Sequence, residues 1–228
     1  MLSGVNIDGD VYVLLPFSKN QFIKNLFKRN RIVNDFFISN YDTYVNDRQK
    51  ITKKNPRAWW KYFQDWINFK YSKFLLADTE THFKYWEKLF GSFRGQKLIL
   101  PVLADRSIYH PEEAGAWQKK DYQHDLKIIF YGSFIPLHGI DIILKAFSLL
   151  ERQQLKYKAK IVGNGQIYPE MQSLKKELGL QNTIMNGEII SEADLADEIR
   201  QSDIVLGIFG QSEKSRSVIP NKIYQALA

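Results

Sequence analysis

Gly132-Ser133 and His138-Gly139 mark the two ends of a short loop. It joins an apolar run, Leu126 to Tyr131, to a segment with apolar residues at Ile142, Ile143, Ala146, Phe147 and Leu150. The run predicts a buried strand and the segment an amphipathic helix. In an open parallel sheet, such a junction lies at the carboxyl end of a strand. Unpaired backbone N–H groups and the positive end of the helix dipole can hold a phosphate there. Gly163 and Gly165 follow a second expected strand, Tyr157 to Val162, in the same way. These glycines allow a ligand to approach the backbone closely, and they fit a plain turn as well.

Other chemistry is thinly represented. The 228 residues include no cysteine and four histidines, so a disulfide framework and a thiolate metal site are excluded and no metal ligands are assigned. No Ser/His/Asp triad spacing, Walker motif or nucleic-acid motif occurs, and Gly132 lacks the GxGxxG spacing of a dinucleotide site. The start, MLSGVNIDGD, has no basic and apolar leader pattern, and no apolar run approaches ~18 residues. The net charge of +7 is uneven: residues 1–120 carry 20 Lys/Arg against 12 Asp/Glu, and the remainder 12 against 13. That asymmetry fits either a solvated basic surface or a first half that faces something anionic.

The elements that position the glycine turns alternate strand and helix. In the first half, strands are expected at residues 10–16, 31–34, 73–77 and 97–101. Helices are expected at 19–29, from Asp42 as N-cap, over Pro56 to about Lys70 after Asn55, and over 80–90 up to Gly91. Trp59, Trp60, Tyr62, Phe63, Trp66 and Phe69 nearly ring the Pro56 helix, which reads as core or interdomain packing, with a membrane-inserting or base-stacking surface as the alternative. In the second half, strands at 126–131, 157–162, 183–186 and 203–208 alternate with helices, the one near Ser191 opening on an N-cap and the last opening at Pro220. The expected fold class is therefore α/β, with doubly wound parallel sheets in two domains. Residues 1–112 form the first domain, 113–125 a polar linker and 126–228 the second. The two-turn helix ending at Ala228 and the partial first sheet suggest that both domains are incomplete.

With the motifs in place, the second half resembles the carboxyl-terminal domain of glycosyltransferase family 4. The matching pieces are YGSFIPLHGIDIILKAF (131–147), IVGNGQ (161–166), NGEI (186–189), SDIVLGIFG (202–210) and SVIPNKIYQALA (217–228). The first half resembles the later part of that family's acceptor domain through NYDTYVNDR (40–48), KYSKFLLADTETHFKYW (70–86) and KLILPVLADRSIYHP (97–111). The resemblance implies a GT-B fold of two Rossmann-like domains and transfer of a sugar from a nucleotide diphosphate sugar. Transfer would proceed with retention, without a metal or any cofactor beyond the donor itself.

Family members place an arginine directly after the strand glycine and a lysine five residues later; this chain has Ser133 and His138. The charge needed on the departing diphosphate would then come from Arg216 and Lys222, with His138 adding to it if protonated. Those three are the expected catalytic residues. Gly132, Ser133, Gly139, Gly163, Gly165, Lys214, Asn221 and Gln225 are the expected donor-binding residues. Gln225 stands where the family has a ribose-binding glutamate, and Ser217 where it has another. Asp8-Gly9-Asp10 matches the metal-binding D-x-D of a different glycosyltransferase fold but reads as a glycine turn before a strand. His82 is expected either as a surface histidine or, by the resemblance, as a lining of the acceptor cleft. A lipid-linked or saccharide acceptor, peripheral membrane contact and a cytoplasmic location at the inner membrane face complete the expectation; nucleic acid is not an expected partner. The alternative is a noncatalytic module that binds nucleotide diphosphates, or an inactive fragment of such an enzyme.

Overall fold

Four strands of the first half lie parallel in the order β1 (Tyr12–Leu14), β2 (Ile32–Asp35), β3 (Phe74–Ala77), β4 (Gln96–Ile99). Between them run helices α1 (Lys19–Lys24), α2 (Pro56–Tyr71) and α3 (Glu80–Phe90). This computed structural model describes residues 10–111 and 125–228 and divides into two compact units, Met1–Pro101 and Val102–Ala228. Residues 113–124 of the expected linker lie outside the described residues, as do Asp8 and Gly9.

Local chemistry sets the helix ends of the first unit. The Asn55 side chain accepts a hydrogen bond from Arg57 N at 2.9 Å, and Pro56 pre-sets the first helical turn of α2. Thr79 does the same for α3, accepting from His82 N at 3.0 Å, and Gly91 at φ +84° ends it. Asp42 is not the expected N-cap. It lies inside a short, wide π-helical turn, Asp42–Asp47, where its carboxylate accepts from the Tyr85 hydroxyl, and Ser39 Oγ caps Asp42 N at 3.0 Å instead. The core gathers Phe69 of α2 and Phe83, Trp86 and Phe90 of α3 against Phe36, Leu75 and Ala77.

The second unit holds β5 (Leu126–Tyr131), β6 (Tyr157–Val162), β7 (Thr183–Met185) and β8 (Ile204–Val205), all parallel, in the order β7-β6-β5-β8. Chain order therefore runs outward from β5 to β7 and then returns to the other side of β5. With right-handed crossovers, that return places the connecting helices on both faces. Helices α4 (Ile140–Arg152) and α5 (Tyr168–Glu177) pack on one face, where Ile140, Ile143, Leu144 and Phe147 meet Ile128, Phe130 and Ile161. On the other face, Leu195 and Ile199 of α6 (Glu192–Gln201) pack on Ile129, Tyr131 and Val162. The strand expected at 203–208 is shorter because the chain turns off the sheet, with Phe209 N donating to His138 O at 3.0 Å. Helix α7 (Asn221–Leu227) follows.

Candidate functional site

The strand order reverses between β5 and β8, and the carboxyl end of β5 opens at this switch point, where ligands of open α/β sheets bind. Beyond β5 the chain makes the Gly132 turn, a single helical turn at Pro136–His138 and then α4. Part of the backbone here is committed within the fold. Gly132 N donates to Val162 O, Phe134 N to Asn164 O, Ile135 N to Ser133 O, His138 N to Ile135 O and Gly139 N to Pro136 O, at 2.9–3.1 Å. These N–H groups are spent on holding the turn.

The glycines serve the same end. A Cβ on Gly163 would stand 2.2 Å from Gly132 O, and one on Gly165 2.7 Å from Phe134 N. The close approach that Gly163 and Gly165 allow is thus made by the neighbouring loop. A Cβ on Gly139 would meet the Phe209 carbonyl carbon at 2.5 Å, where the loop leaving β8 is stitched down by Gly210 N donating to Leu137 O at 3.2 Å. Ser133 remains exposed at the rim of the turn.

Lys222, in the first turn of α7, is buried, and its Nζ has no hydrogen-bond partner among the described residues. The ammonium lies 3.9 Å from the Phe130 ring centroid, and a Cβ on Gly132 would be 3.4 Å from it. Burial lowers its pKa from 10.5 to about 7. His138 approaches the same side of Gly132, whose Cβ would lie 3.1 Å from the imidazole Cε1. Burial first, and then the Lys222 charge, push His138 down to about 4, so the ring is neutral near pH 7 and the condition for it to add charge is not met. Its Nδ1 faces the Ser133 carbonyl oxygen, which can only accept; the proton therefore sits on Nδ1, and Nε2 carries a lone pair. Lys222 is thus the cation beside the turn, and His138 supplies an acceptor.

Gln225, one turn further along α7, is held by a residue the sequence reading missed. The buried Tyr131 hydroxyl faces Gln225 Oε1 at 2.9 Å and Lys222 O at 3.3 Å. Its pKa is raised well above the usual phenol value, chiefly by burial, so it stays a hydrogen-bond donor. With Oε1 engaged, Gln225 directs its amide donors elsewhere. Lys214 is half-buried, while Arg216 and Asn221 are exposed on the segment leading into α7. The structure brings Lys222, His138 and Gly132 together; Arg216 does not share their burial. Among the described residues, no group of three His, Cys, Asp or Glu is placed to hold a metal ion.

In the first unit, His82 is neither exposed nor unsatisfied at Nδ1. It is buried, with Nδ1 2.6 Å from Asp78 Oδ1 and its ring centroid 4.0 Å from that of Trp86. The expectation of a surface histidine fails because the ring packs on Trp86 and its Nδ1 is taken by Asp78 in the interior.

Residues 112–207 match the family model for glycosyl transferases group 1. The matched glycosyl-transferase segment contains all of β5 to β8 and ends before Lys222 and Gln225. A search of curated proteins found no match. Among solved structures, the chain is similar to a trehalose-6-phosphate protein from E. coli bound with UDP-2-fluoro glucose, at 14% identity and a TM-score of 0.60. That likeness covers 96% of this chain and 56% of the other. It is also similar to WaaG, a glycosyltransferase involved in lipopolysaccharide biosynthesis, at 15% identity and a TM-score of 0.55, covering 86% of this chain and 60% of that one. A third is S. aureus TarM in complex with Fondaparinux, alpha-GlcNAc-glycerol and UDP, at 10% identity and a TM-score of 0.50, over 77% and 32%. These neighbours are GT-B glycosyltransferases, and what they share with this chain is the α/β fold of parallel sheets. The chain spans about half the length of the first two, at 56% and 60%.

Proposed function

We propose that this chain acts in transfer of a sugar from a nucleotide diphosphate sugar, and that the diphosphate sits between the Gly132 turn and Lys222. The observation that carries the reading is the Lys222 ammonium: buried, without a hydrogen-bond partner among the described residues, and beside a glycine turn at the switch point. A buried cation costs free energy unless an anion compensates it. A departing nucleoside diphosphate gains negative charge as the sugar acquires oxocarbenium character, and a fixed ammonium stabilises that charge. The glycosyl-transferase match over 112–207 and the fold shared with GT-B structures support the same reaction class.

In this reading Lys222 carries the main charge and Arg216 and Lys214 add to it from the rim. Ser133 and Asn221 offer polar contacts, and Gln225 turns its amide to the ribose hydroxyls. His138 accepts a hydrogen bond through Nε2 and lends no charge. Transfer of a hexose with retention, use of side-chain cations in place of a metal, a saccharide or lipid-linked acceptor, and a cytoplasmic site of action belong to the same proposal.

The test is binding of UDP, GDP and ADP to the 228-residue protein by calorimetry, followed by assay of donor hydrolysis and transfer. Loss of one charge-assisted hydrogen bond predicts that Lys222→Ala weakens binding of the preferred nucleotide by about 10- to 100-fold. Binding that is unaffected by Lys222→Ala would refute the site. Tight binding with no turnover across a broad panel of donors and acceptors would favour the noncatalytic module.

A further inference from the structure

Helix α2 is amphipathic the wrong way round for a helix that only packs on its own sheet. Its inward side carries Gln64, Asp65 and Asn68, all buried. Each is tied to the interior: Asp65 Oδ2 accepts from Ser39 Oγ at 2.8 Å and Tyr41 N at 2.7 Å. Asn68 Nδ2 donates to Lys19 O at 3.1 Å, and Gln64 Nε2 to Asn20 Oδ1. Its outward side carries Trp59, Trp60 and Phe63, which are 71%, 58% and 47% exposed. Of the six aromatics expected as core or interdomain packing, Phe69 alone is fully buried in the core, and Trp66 is half-buried. The Trp59 indole is not loose, because its Nε1 donates to Lys53 O at 3.1 Å while the ring remains open.

The charge around this face is one-sided. From Arg48 to Lys73 the sequence has eight Lys/Arg, six of them lysine, and a single acid, the buried Asp65. Lys53, Lys54 and Arg57 are exposed at the same end of α2 as the two tryptophans. A second copy meeting this face by two-fold symmetry would bring like charges together with no surface carboxylate between them. Protein interfaces are also depleted in lysine. A bilayer surface matches both halves of the pattern. Tryptophan places its apolar body at the acyl boundary and its polar edge among headgroups, while lysine and arginine reach anionic phosphates. No helix among the described residues is long and apolar enough to cross a membrane, so the contact is one of lying on the surface.

We propose that the outward face of α2, Trp59, Trp60 and Phe63 with Lys53, Lys54 and Arg57, docks on a bilayer that contains anionic lipid. The inference stands on α2 alone and does not depend on the glycosyl-transfer reading. It is tested by co-sedimentation of the full chain with vesicles of phosphatidylglycerol mixed with phosphatidylcholine, and with phosphatidylcholine alone. Partitioning onto the mixed vesicles is expected to be strong and to fall steeply with added salt. The triple change Lys53→Gln, Lys54→Gln, Arg57→Gln lowers it by about 100-fold, and Trp59→Ser with Trp60→Ser by more than about tenfold. All five positions are exposed, so unchanged circular dichroism and melting show that the variants fold. Equal binding to both vesicle types, no binding, or binding that neither variant alters overturns the proposal. So does a dimer in solution that Trp59→Ser with Trp60→Ser converts to monomer while vesicles have no effect, since the face then belongs to a protein contact.

Discussion

Replacing Lys222 by methionine should make the protein more stable and its nucleotide site weaker. The side chain keeps nearly the same length and apolar stem, but the ammonium is gone. In the folded chain, burial lowers the Lys222 pKa from 10.5 to about 7, a difference equivalent to on the order of 5 kcal/mol of cost on the charged form. Contact with the Phe130 ring at 3.9 Å offsets part of that cost and is lost in the variant. A net gain of about 1–3 kcal/mol is expected, which is about 3–10 °C in Tm for a protein of this size. The sign of the pH dependence follows from the depressed value. Below about 7, folded and unfolded chains both hold the proton and the penalty is complete. Between about 7 and 10.5, the unfolded chain holds a proton that the folded one has lost, so wild-type stability rises with pH. The advantage of Lys222→Met should therefore be greatest below pH 7 and vanish towards 10.5, as read by urea denaturation across that range. Nucleotide affinity of the wild type should fall above pH 7, by up to about tenfold per pH unit, because the anion needs the protonated form. A variant less stable than wild type at pH 6, with nucleotide affinity intact, would refute the assignment of Lys222 as a buried cation kept for an anionic ligand.

Three further substitutions probe the framework around that residue. Tyr131→Phe removes the donor that faces Gln225 Oε1 at 2.9 Å and should weaken nucleotide binding by about 3- to 10-fold with little change in binding of inorganic diphosphate, measured by calorimetry. Gly163→Ala places a Cβ 2.2 Å from Gly132 O at a φ of +127° and should cost about 3 kcal/mol or more; a loss under about 1 kcal/mol in urea would show that the turn can move. Glu151→Ala leaves Gln181 N, Asn182 N and the Tyr157 hydroxyl without the carboxylate that accepts from them at 2.9–3.0 Å. A cost of about 1–3 kcal/mol is expected in the same measurement.

Much of the fold could be read from period and punctuation. Asn55-Pro56, Thr79, Ser191 and Gly91 mark helix ends through contacts made within a few residues, and the structure places those caps where the residue types predict. The apolar run at Leu126–Tyr131 and the segment Tyr157–Val162 become the two central strands of their sheet; the first is covered on both faces and needs no polar alternation, while the second keeps Lys158 exposed and Lys160 half-buried. Misreadings arise where a long-range partner decides. Asp42 has the chemistry of a cap, yet Tyr85, 43 residues away, takes its carboxylate. The aromatic content of α2 predicts burial, but polar side chains of α1, β2 and the following loop satisfy Gln64, Asp65 and Asn68 inside and turn the rings outward.

At the candidate site, residue types located the place but not the division of labour. A glycine turn after a buried strand reads as a phosphate cradle because sequence shows which N–H groups a helix leaves open, and not which ones a neighbouring strand end consumes. Val162, Asn164 and Pro136 take those of Gly132, Phe134 and Gly139 here. Once the turn's own donors are committed, charge must come from a side chain that reaches the same edge from elsewhere in the fold. Lys222 does so from α7, 90 residues downstream of Gly132, and its charge adds to the burial that keeps His138 neutral. Neutrality at His138 comes first from burial and then from Lys222: imidazolium and ammonium charges around one half-buried glycine would repel, so the lysine reinforces what burial already does and the histidine is not a second cation. The site thus holds one positive charge placed by tertiary structure, together with an acceptor on His138 Nε2, and it is this asymmetry that a bound diphosphate would have to satisfy.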